Sequence, residues 1–207
     1  MNLQQLSRPF PGLATPAELQ EGIARLSRGA YFREASLDMA LSIIAEAAAR
    51  MSGVTRVSIR ALSADGQELC CIESFSLASG RHVKGDCLQA DDFPAYFAAL
   101  RAESCIVADD VGCHPATMEL ARIYLTHERV SAVLDTPIHI RGELQGVLSF
   151  EQEEAPEPWA PEHRLFAHAI ANLVTLALVE YEADEARRRA DSAARRLQTL
   201  LPATATL

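Results

Sequence analysis

Two stretches of this chain alternate apolar and polar residues around a tight-turn signal, and their placement constrains the fold more than any other feature. In "VTRVSIRALSADGQELCCIESFSL", Val57 and Ile59 oppose Arg56, Ser58 and Arg60 before an "ADGQ" turn. In "SAVLDTPIHIRGELQGVLSFEQE", residues 131–153, two alternating runs flank Arg141-Gly142. Each reads as a β-hairpin with one buried face. Between them lie helix, strand and helix patterns, with helices at both ends of the chain. Hairpins that bracket strand–helix crossings predict a mostly antiparallel sheet with helices on its faces, an α+β fold. The alternating strand–helix series of a doubly wound parallel fold is missing.

The helical patterns are clear at both ends. Thr15 and Pro16 open a helix whose Leu19, Ile23 and Leu26 share a face. A second runs from about Ser36 to Met51 and stops at Gly53, with Leu37, Leu41, Ile44 and Ala48 on its apolar side. "RHVKGDCLQAD" reads as a loop. "DFPAYFAALR" reads as a short helix carrying Phe93, Tyr96, Phe97 and Leu100, "SCIVAD" as a short strand, and "HPATMELARIYLTHE" as a helix begun by Pro115. A Pro-rich acidic connection leads to Pro161, which starts a long helix reaching toward Leu200.

That last helix carries a heptad seam. Leu176, Val179, Ala183, Ala186, Ala190, Ala193, Leu197 and Leu200 are spaced alternately 3 and 4 apart, with Arg, Glu and Asp between them. Two readings stand: a parallel dimer helix extending from the domain, or a helix packing back on its own body. Alanine at four successive seam positions buries little area, so such a seam is marginal and free to slip or separate. Its composition also differs from the body: from Glu182 to Leu201 five Arg face four acids, whereas the whole chain carries −9.

That net charge argues against nucleic acid as a partner, because phosphate binding needs clustered cations. No apolar run approaches the roughly 18–20 residues of a membrane span, and the N-terminus lacks the pattern of a secretory signal. Five cysteines (Cys70, Cys71, Cys87, Cys105, Cys113) without CxxC spacing fit a reduced, cytoplasmic setting. The six histidines form no metal constellation; His163 and His168, five apart on one helix, suit zinc poorly. "EHR" lacks the nucleotide box that a histidine-kinase phosphoacceptor would need, and GxSxG, P-loop and GxGxxG motifs are absent, so no catalytic residue is assigned.

Other residues admit both a binding and a structural role. Phe93, Tyr96 and Phe97 line a pocket or fill a core. Asp109 and Asp110 orient a ligand or cap turns. Asp135, beside apolar Val133 and Leu134 and just before Pro137, meets a ligand or holds a neighbouring loop. Pro137 itself, without a backbone donor, predicts a gap or bulge in the ladder.

Five segments, "GVTRVSI", "HVKGDCLQADDFPAYFAAL", "VADDVGCHPATMELARIYL", "VSAVLDTPIHIRGELQGVLSFE" and "PWAPEHRLFAHAIANLVTLAL", together resemble a GAF domain between about Leu37 and Glu182. GAF domains are small-molecule-sensing and dimerisation modules. The order and spacing are similar to the subgroup that serves as input to bacterial diguanylate cyclases and sensor histidine kinases. The resemblance divides the chain into a lead-in and helix (1–34), the GAF-like domain (35–182) and a coiled-coil-like extension and tail (183–207). It implies a central antiparallel sheet, first and last helices on one face, and a pocket on the other.

By position that pocket draws on His82, Phe93, Tyr96, Phe97, Asp109, Thr117, Tyr124 and Asp135. The resemblance also implies a homodimer through the N- and C-terminal helices, acting on a signalling partner or an output domain. It names no cofactor, since GAF ligands range widely. The NKxnFx₃DE signature of cyclic-nucleotide binders and a recognisable chromophore-attachment motif are both absent. One enzymatic branch, free methionine-R-sulfoxide reductase, is an alternative: "KGDC" with Cys87 resembles its Gly-x-Cys element, with Cys105 or Cys113 to resolve, although "GCHP" substitutes poorly for its catalytic loop. A ligandless dimerisation domain is the other alternative.

Overall fold

The structure is a computed structural model that describes residues 15–28, 35–123, 129–153 and 158–200, with side chains through residue 196. Helix α1 (Pro16–Ser27) is held at its start by Glu18, whose carboxylate accepts the Thr15 backbone N–H at 2.8 Å. Helix α2 (Leu37–Ser52) begins where Ser36 Oγ accepts from the Met39 N–H and ends at Gly53 in the left-handed conformation.

Strands β1 (Arg56–Leu62) and β2 (Glu68–Ser76) form the first predicted hairpin. The stretch expected to be a loop instead supplies two short strands, β3 (Arg81–Val83) and β4 (Cys87–Gln89), both paired with β2. Each is three residues long, too short to show a period of two. Helix α3 (Pro94–Ala102) and strand β5 (Ile106–Ala108) follow as expected.

The helix expected from Pro115 does not form at its start. Residues 111–120 run through successive turns, and among the described residues of the segment only Ala121–Ile123 (α4) is helical. The turns are held partly by side chains, since Thr117 Oγ1 donates to the Val111 carbonyl at 3.0 Å. Strands β6 (Val130–Ile140) and β7 (Glu143–Glu153) form the second hairpin, with φ positive at both Arg141 and Gly142. Helix α5 (Pro161–Leu200) completes the chain.

All strand pairs are antiparallel, in the order β3-β2-β1-β7-β6-β5, with β4 on the far part of β2. The backbones of β1 and β7 approach closely at Gly146, where any Cβ would collide with the Arg60 carbonyl oxygen. The ladder passes through Pro137 without a break: Pro137 pairs with Val147, and the irregularity falls one step later, between Ile138 and His139. On its other side β5 has already ended opposite Asp135, so no strand pairs with Pro137 there.

Two cores follow from the two faces. On the helix face, Val57, Ile59, Phe75, Leu134, Leu148 and Phe150 pack under α1, α2 and α5. On the crossing face, Leu69, Leu88, Val133 and Val147 meet Tyr96, Phe97 and Leu100 of α3. Helix α5 contains an 18-residue window of mean hydropathy 1.2, which corrects the expectation that no stretch of that length is so apolar. Its Phe166, Ala167, Ile170, Val174 and Ala177 are spent on the helix-face core.

Sulfur chemistry also departs from expectation. Cys70 and Cys87, directly opposite in the β2–β4 register, form a disulfide with S–S 2.02 Å, while Cys71, Cys105 and Cys113 are free. Sequence spacing does not reveal this pair, because β4 was not visible as a strand.

Candidate functional site

The crossing face carries a track of charged and hydroxylic side chains. Arg56, Ser58 and Arg60 occupy it because their neighbours Val57 and Ile59 face the helices. Glu151 of β7 is buried among them. Its carboxylate accepts from Ser58 Oγ at 2.7 Å and from Arg56 Nη1 at 3.1 Å, and Arg56 Nη2 reaches Glu153 at 3.3 Å. Arg60, with a side chain 7% exposed, donates from Nη2 to Asp86 Oδ2 at 2.7 Å and from Nη1 to the Asp86 carbonyl at 3.3 Å.

Arg56, Ser58, Arg60, Asp86 and Glu151 border a cleft of about 290 Å³, lined on its apolar side by Val83, Leu88 and Ile123 and on its floor by Ser74 and Ser76 of β2. Burying this much charge is costly unless each group is paired, and a cleft that keeps ionic partners at its walls is suited to polar ligands.

Farther along the same face Asp135 points toward α3. Tyr96 OH donates to its Oδ2 at 2.7 Å, and the side chain is fully buried. Burial pushes the carboxyl up to about 6, against the pull of the Tyr96 hydroxyl. Ser149 lies directly across the ladder, yet Ser149 Oγ and Asp135 Oδ1 are both buried without a hydrogen-bond partner. Asp135 therefore both holds a neighbouring element, through Tyr96, and retains an unused acceptor.

The remaining residues proposed from the sequence scatter. His82 sits on the helix face: in β3 it pairs with Phe75, and its Nδ1 lies 2.6 Å from buried Glu73. The alternation that sends Val83 into the cleft sends His82 away from it. Phe93, Tyr96 and Phe97 are buried in the crossing-face core, with Tyr96 and Phe97 edge to face at 6.3 Å. Thr117 is spent on its turn, and Asp109 accepts the Trp159 backbone N–H at 2.8 Å, tying the entry of α5 to β5. Tyr124 lies outside the described residues. None of the other seven borders the cleft.

Residues that do border it were legible only as the polar half of a strand. The signal was present in the two arginines that share one face of β1, Arg56 and Arg60, a heavy charge for a strand at the centre of a sheet.

The free thiols are all raised above the ordinary cysteine range. Burial pushes Cys71 and Cys105 up to about 11, and Asp110, which accepts from Cys113 Sγ at 3.2 Å, also raises that thiol. Cys87 is bonded to Cys70 rather than to Cys105 or Cys113. Among the described residues no group of three His, Cys, Asp or Glu side chains is placed to hold a metal ion.

A second cleft, about 420 Å³, lies away from the sheet where the start of α2 meets α5 at Ala177, Tyr181 and Asp184. Beyond it, α5 leaves the body. Leu176 and Val179 of the seam are 44% and 40% exposed, Ala183 is half-buried, and Ala186, Ala190 and Ala193 are exposed. The Leu197 and Leu200 side chains lie outside the described residues. Leu165, 71% exposed, falls on the same stripe eleven residues before Leu176. Arg187 with Asp184, and Arg188 and Arg189 with Glu185, form its charged flank.

Known structures share this architecture. The GAF domain of a phosphoenolpyruvate-protein phosphotransferase from Coxiella burnetii superposes with a TM-score of 0.65 at 18% identity, over 84% of this chain and 99% of that one. The phycoerythrobilin-bound GAF domain of a cyanobacterial phytochrome gives 0.66 at 18% identity, over 80% and 96%. A bacteriophytochrome from R. palustris gives 0.66 at 20% identity; 92% of this chain is covered but only 43% of that larger protein. No curated protein matches the chain by sequence. The family model for the GAF domain matches residues 36–178, the span that holds the sheet and both of its faces. The chain belongs to the GAF domain family.

Proposed function

We propose that the chain is a sensory GAF module that binds a small molecule on the crossing face of its sheet and works as a cytoplasmic homodimer in bacterial signal transduction. The observation that carries this reading is the cleft between β1, β2 and the β3–β4 connection, walled by Arg56, Arg60, Asp86 and Glu151. Bilin-bound GAF domains of the same fold are consistent with a ligand on this kind of scaffold. The exposed apolar stripe of α5 is the surface on which a second copy packs, and two α5 helices leaving the dimer in parallel would carry a change of angle or register to an output. That output is a diguanylate cyclase, a sensor histidine kinase or another signalling partner, and neither nucleic acid nor membrane is part of the reading. The module itself is not an enzyme.

Ligand-driven switching needs different affinity for two helix arrangements. A thermal-shift screen of the full chain against cell metabolites, followed by native mass spectrometry of the hits, tests it. A retained small molecule whose shift disappears in Glu151→Gln supports the reading, and the absence of any shift overturns it.

One observation favours a second reading, a ligandless dimerisation domain: Phe93, Tyr96 and Phe97 already fill the α3 side of the face with the chain's own side chains. Under that reading the screen is silent while the dimer persists.

A further inference from the structure

The Cys70–Cys87 pair belongs to both sides of the sheet. Asp86 and Leu88 border the cleft, and alternation turns Cys87 between them to the opposite side, where it is exposed. On β2, Leu69 and Cys71 face the crossing side, and half-buried Cys70 points away from it. A dissolved thiol therefore reaches Cys87 from water without entering the cleft.

The bond reinforces a strand that has few other holds. β4 is three residues long and, among the described residues, pairs only with β2. Around it the Cys71 N–H donates to the Asp86 carbonyl at 2.8 Å, the Gly85 N–H to the Cys71 carbonyl at 2.9 Å and the Ala90 N–H to the Gln67 carbonyl at 2.8 Å. Just beyond β4 the Gln89 carbonyl accepts the Asp92 and Phe93 N–H groups, where the chain turns into α3 and its Tyr96 holds Asp135. The disulfide thus clamps a segment joined on one side to the cleft wall and on the other to α3.

We infer that Cys70 and Cys87 form a thiol-exchange site, opened by small cellular thiols of the glutathione class, whose oxidation state sets how firmly the β4 wall of the cleft is held. The inference rests on the cytoplasmic sensory reading above, in which a reduced thiol pool surrounds the chain. Disulfides in that setting are mostly transient or redox-sensing, and exposed ones are the labile class. A thiolate attacks the Cys87 sulfur, the S–S bond breaks, and Cys70 leaves as a thiolate that takes up a proton. A second thiolate attacks the mixed disulfide at the small thiol's sulfur and departs as the oxidised small-molecule disulfide. Cys87 is released and protonated. Two small thiols are oxidised and the pair gains two electrons. The reverse reaction needs only that oxidised disulfide, because the ladder keeps the two cysteines opposite each other. Cys71 faces the cleft and is kept protonated by burial, so it does not compete for the bond.

The test equilibrates the full chain in glutathione buffers from an oxidising ratio to the reduced poise of a cytoplasm, followed by acid quench, alkylation and mass spectrometry of the Cys70 and Cys87 peptides. The pair is expected as disulfide at the oxidising end and as dithiol at the reduced end. Amide hydrogen exchange at residues 85–90 should quicken by about tenfold on reduction, with the β6–β7 hairpin unchanged. Cys87→Ser should exchange like the reduced form and ignore glutathione, and Cys70→Ala serves the same purpose if the serine disturbs β4. Cys113→Ser should respond as wild type does.

A bond that survives the reduced buffer overturns the inference and makes the pair a permanent staple. Unchanged exchange at residues 85–90 overturns it because the bond then controls nothing. An equal rise across the β6–β7 hairpin overturns it because the bond then holds the whole fold. The metabolite screen, run on the oxidised chain, decides the sensory reading separately from all three outcomes.

Discussion

The two faces of the sheet are built on opposite terms. On the helix face the charged residues are paired within the packing, and the buried groups left without partners are the neutral Trp159 Nε1 and Gln152 Nε2. Glu73 is fully buried, yet it accepts from Ser42 Oγ at 2.6 Å and meets His82 Nδ1 at the same distance, while Arg50 lies over the Phe75 ring. On the crossing face Asp135 Oδ1 and Ser149 Oγ are buried without partners, and Arg60 pairs with an exposed acid. Unsatisfied buried groups cost roughly 1–3 kcal/mol each. Both faces carry that cost, but among the described residues only the crossing face leaves a carboxylate oxygen in that state, and the expected division is scaffold on one side and binding on the other.

The largest effect should fall on the scaffold. Phe150 is buried against Phe166, edge to face at 5.8 Å, so Phe150→Ala should cost about 3–5 kcal/mol in urea unfolding. Leu88→Ala, at the edge of the cleft, should cost about 2 kcal/mol or less, because space there is already open. Equal losses at the two positions would abolish the contrast.

The disulfide comes next. It spans 17 residues at the rim of the cleft, and chain entropy sets its contribution at about 3 kcal/mol or less, since the β2–β4 ladder already aligns the strands. Cys87→Ser and wild type in reductant should lose the same amount. A wild type indifferent to reductant would show that the ladder alone holds β4.

Asp135 sharpens the comparison through pH. Its folded carboxyl lies at about 6 against an ordinary 3.8, so the folded state holds the proton more tightly than the unfolded one. Stability from this group is therefore fullest below about pH 4, is lost as pH rises toward 6, and stays lost above it. Asp135→Asn keeps an acceptor for Tyr96 and removes that loss. It should be more stable than wild type at pH 8 by on the order of 2–3 kcal/mol, with the gap closing near pH 4. Parallel pH profiles of the urea midpoint would mean that Asp135 does not carry the cost of the face.

How much of this was readable from the residues depended on the length of the pattern. Both hairpins, α2 and α5 announced themselves, because their periods run over many residues and their caps and turns agree with them. The three-residue strands β3 and β4 carry no period at all, and with them went the Cys70–Cys87 pair and the placement of His82 on the wrong side of the sheet. The segment after Pro115 has the apolar spacing of a helix, but Thr117 and His114 bond to their own backbone and hold turns instead. Asp135 was singled out correctly as an acid that a strand does not easily explain. Arg56, Ser58 and Arg60 were seen but treated as the outer half of a strand. Alternation shows which residues share a face and does not say whether that face meets water or a lid.

Helix α5 joins the comparison because one helix serves both terms: up to Ala177 it is scaffold, and beyond Glu182 it is surface. Removing residues after Glu182 should change the stability of the body by less than about 0.5 kcal/mol, since Ala186, Ala190 and Ala193 are exposed in the single chain. The same cut should weaken self-association, because the seam from Ala183 onward would then be gone. Sedimentation velocity of both lengths across a concentration series separates the two consequences. A dimer unchanged by the cut would place the contact on the Leu165, Leu176 and Val179 part of the stripe, where larger side chains offer more apolar area than the alanines that follow. A weakened dimer with an unchanged urea midpoint would show that the extension is an interaction surface with no part in the fold, which is the property a helix needs if it is to shift without unfolding the module that moves it.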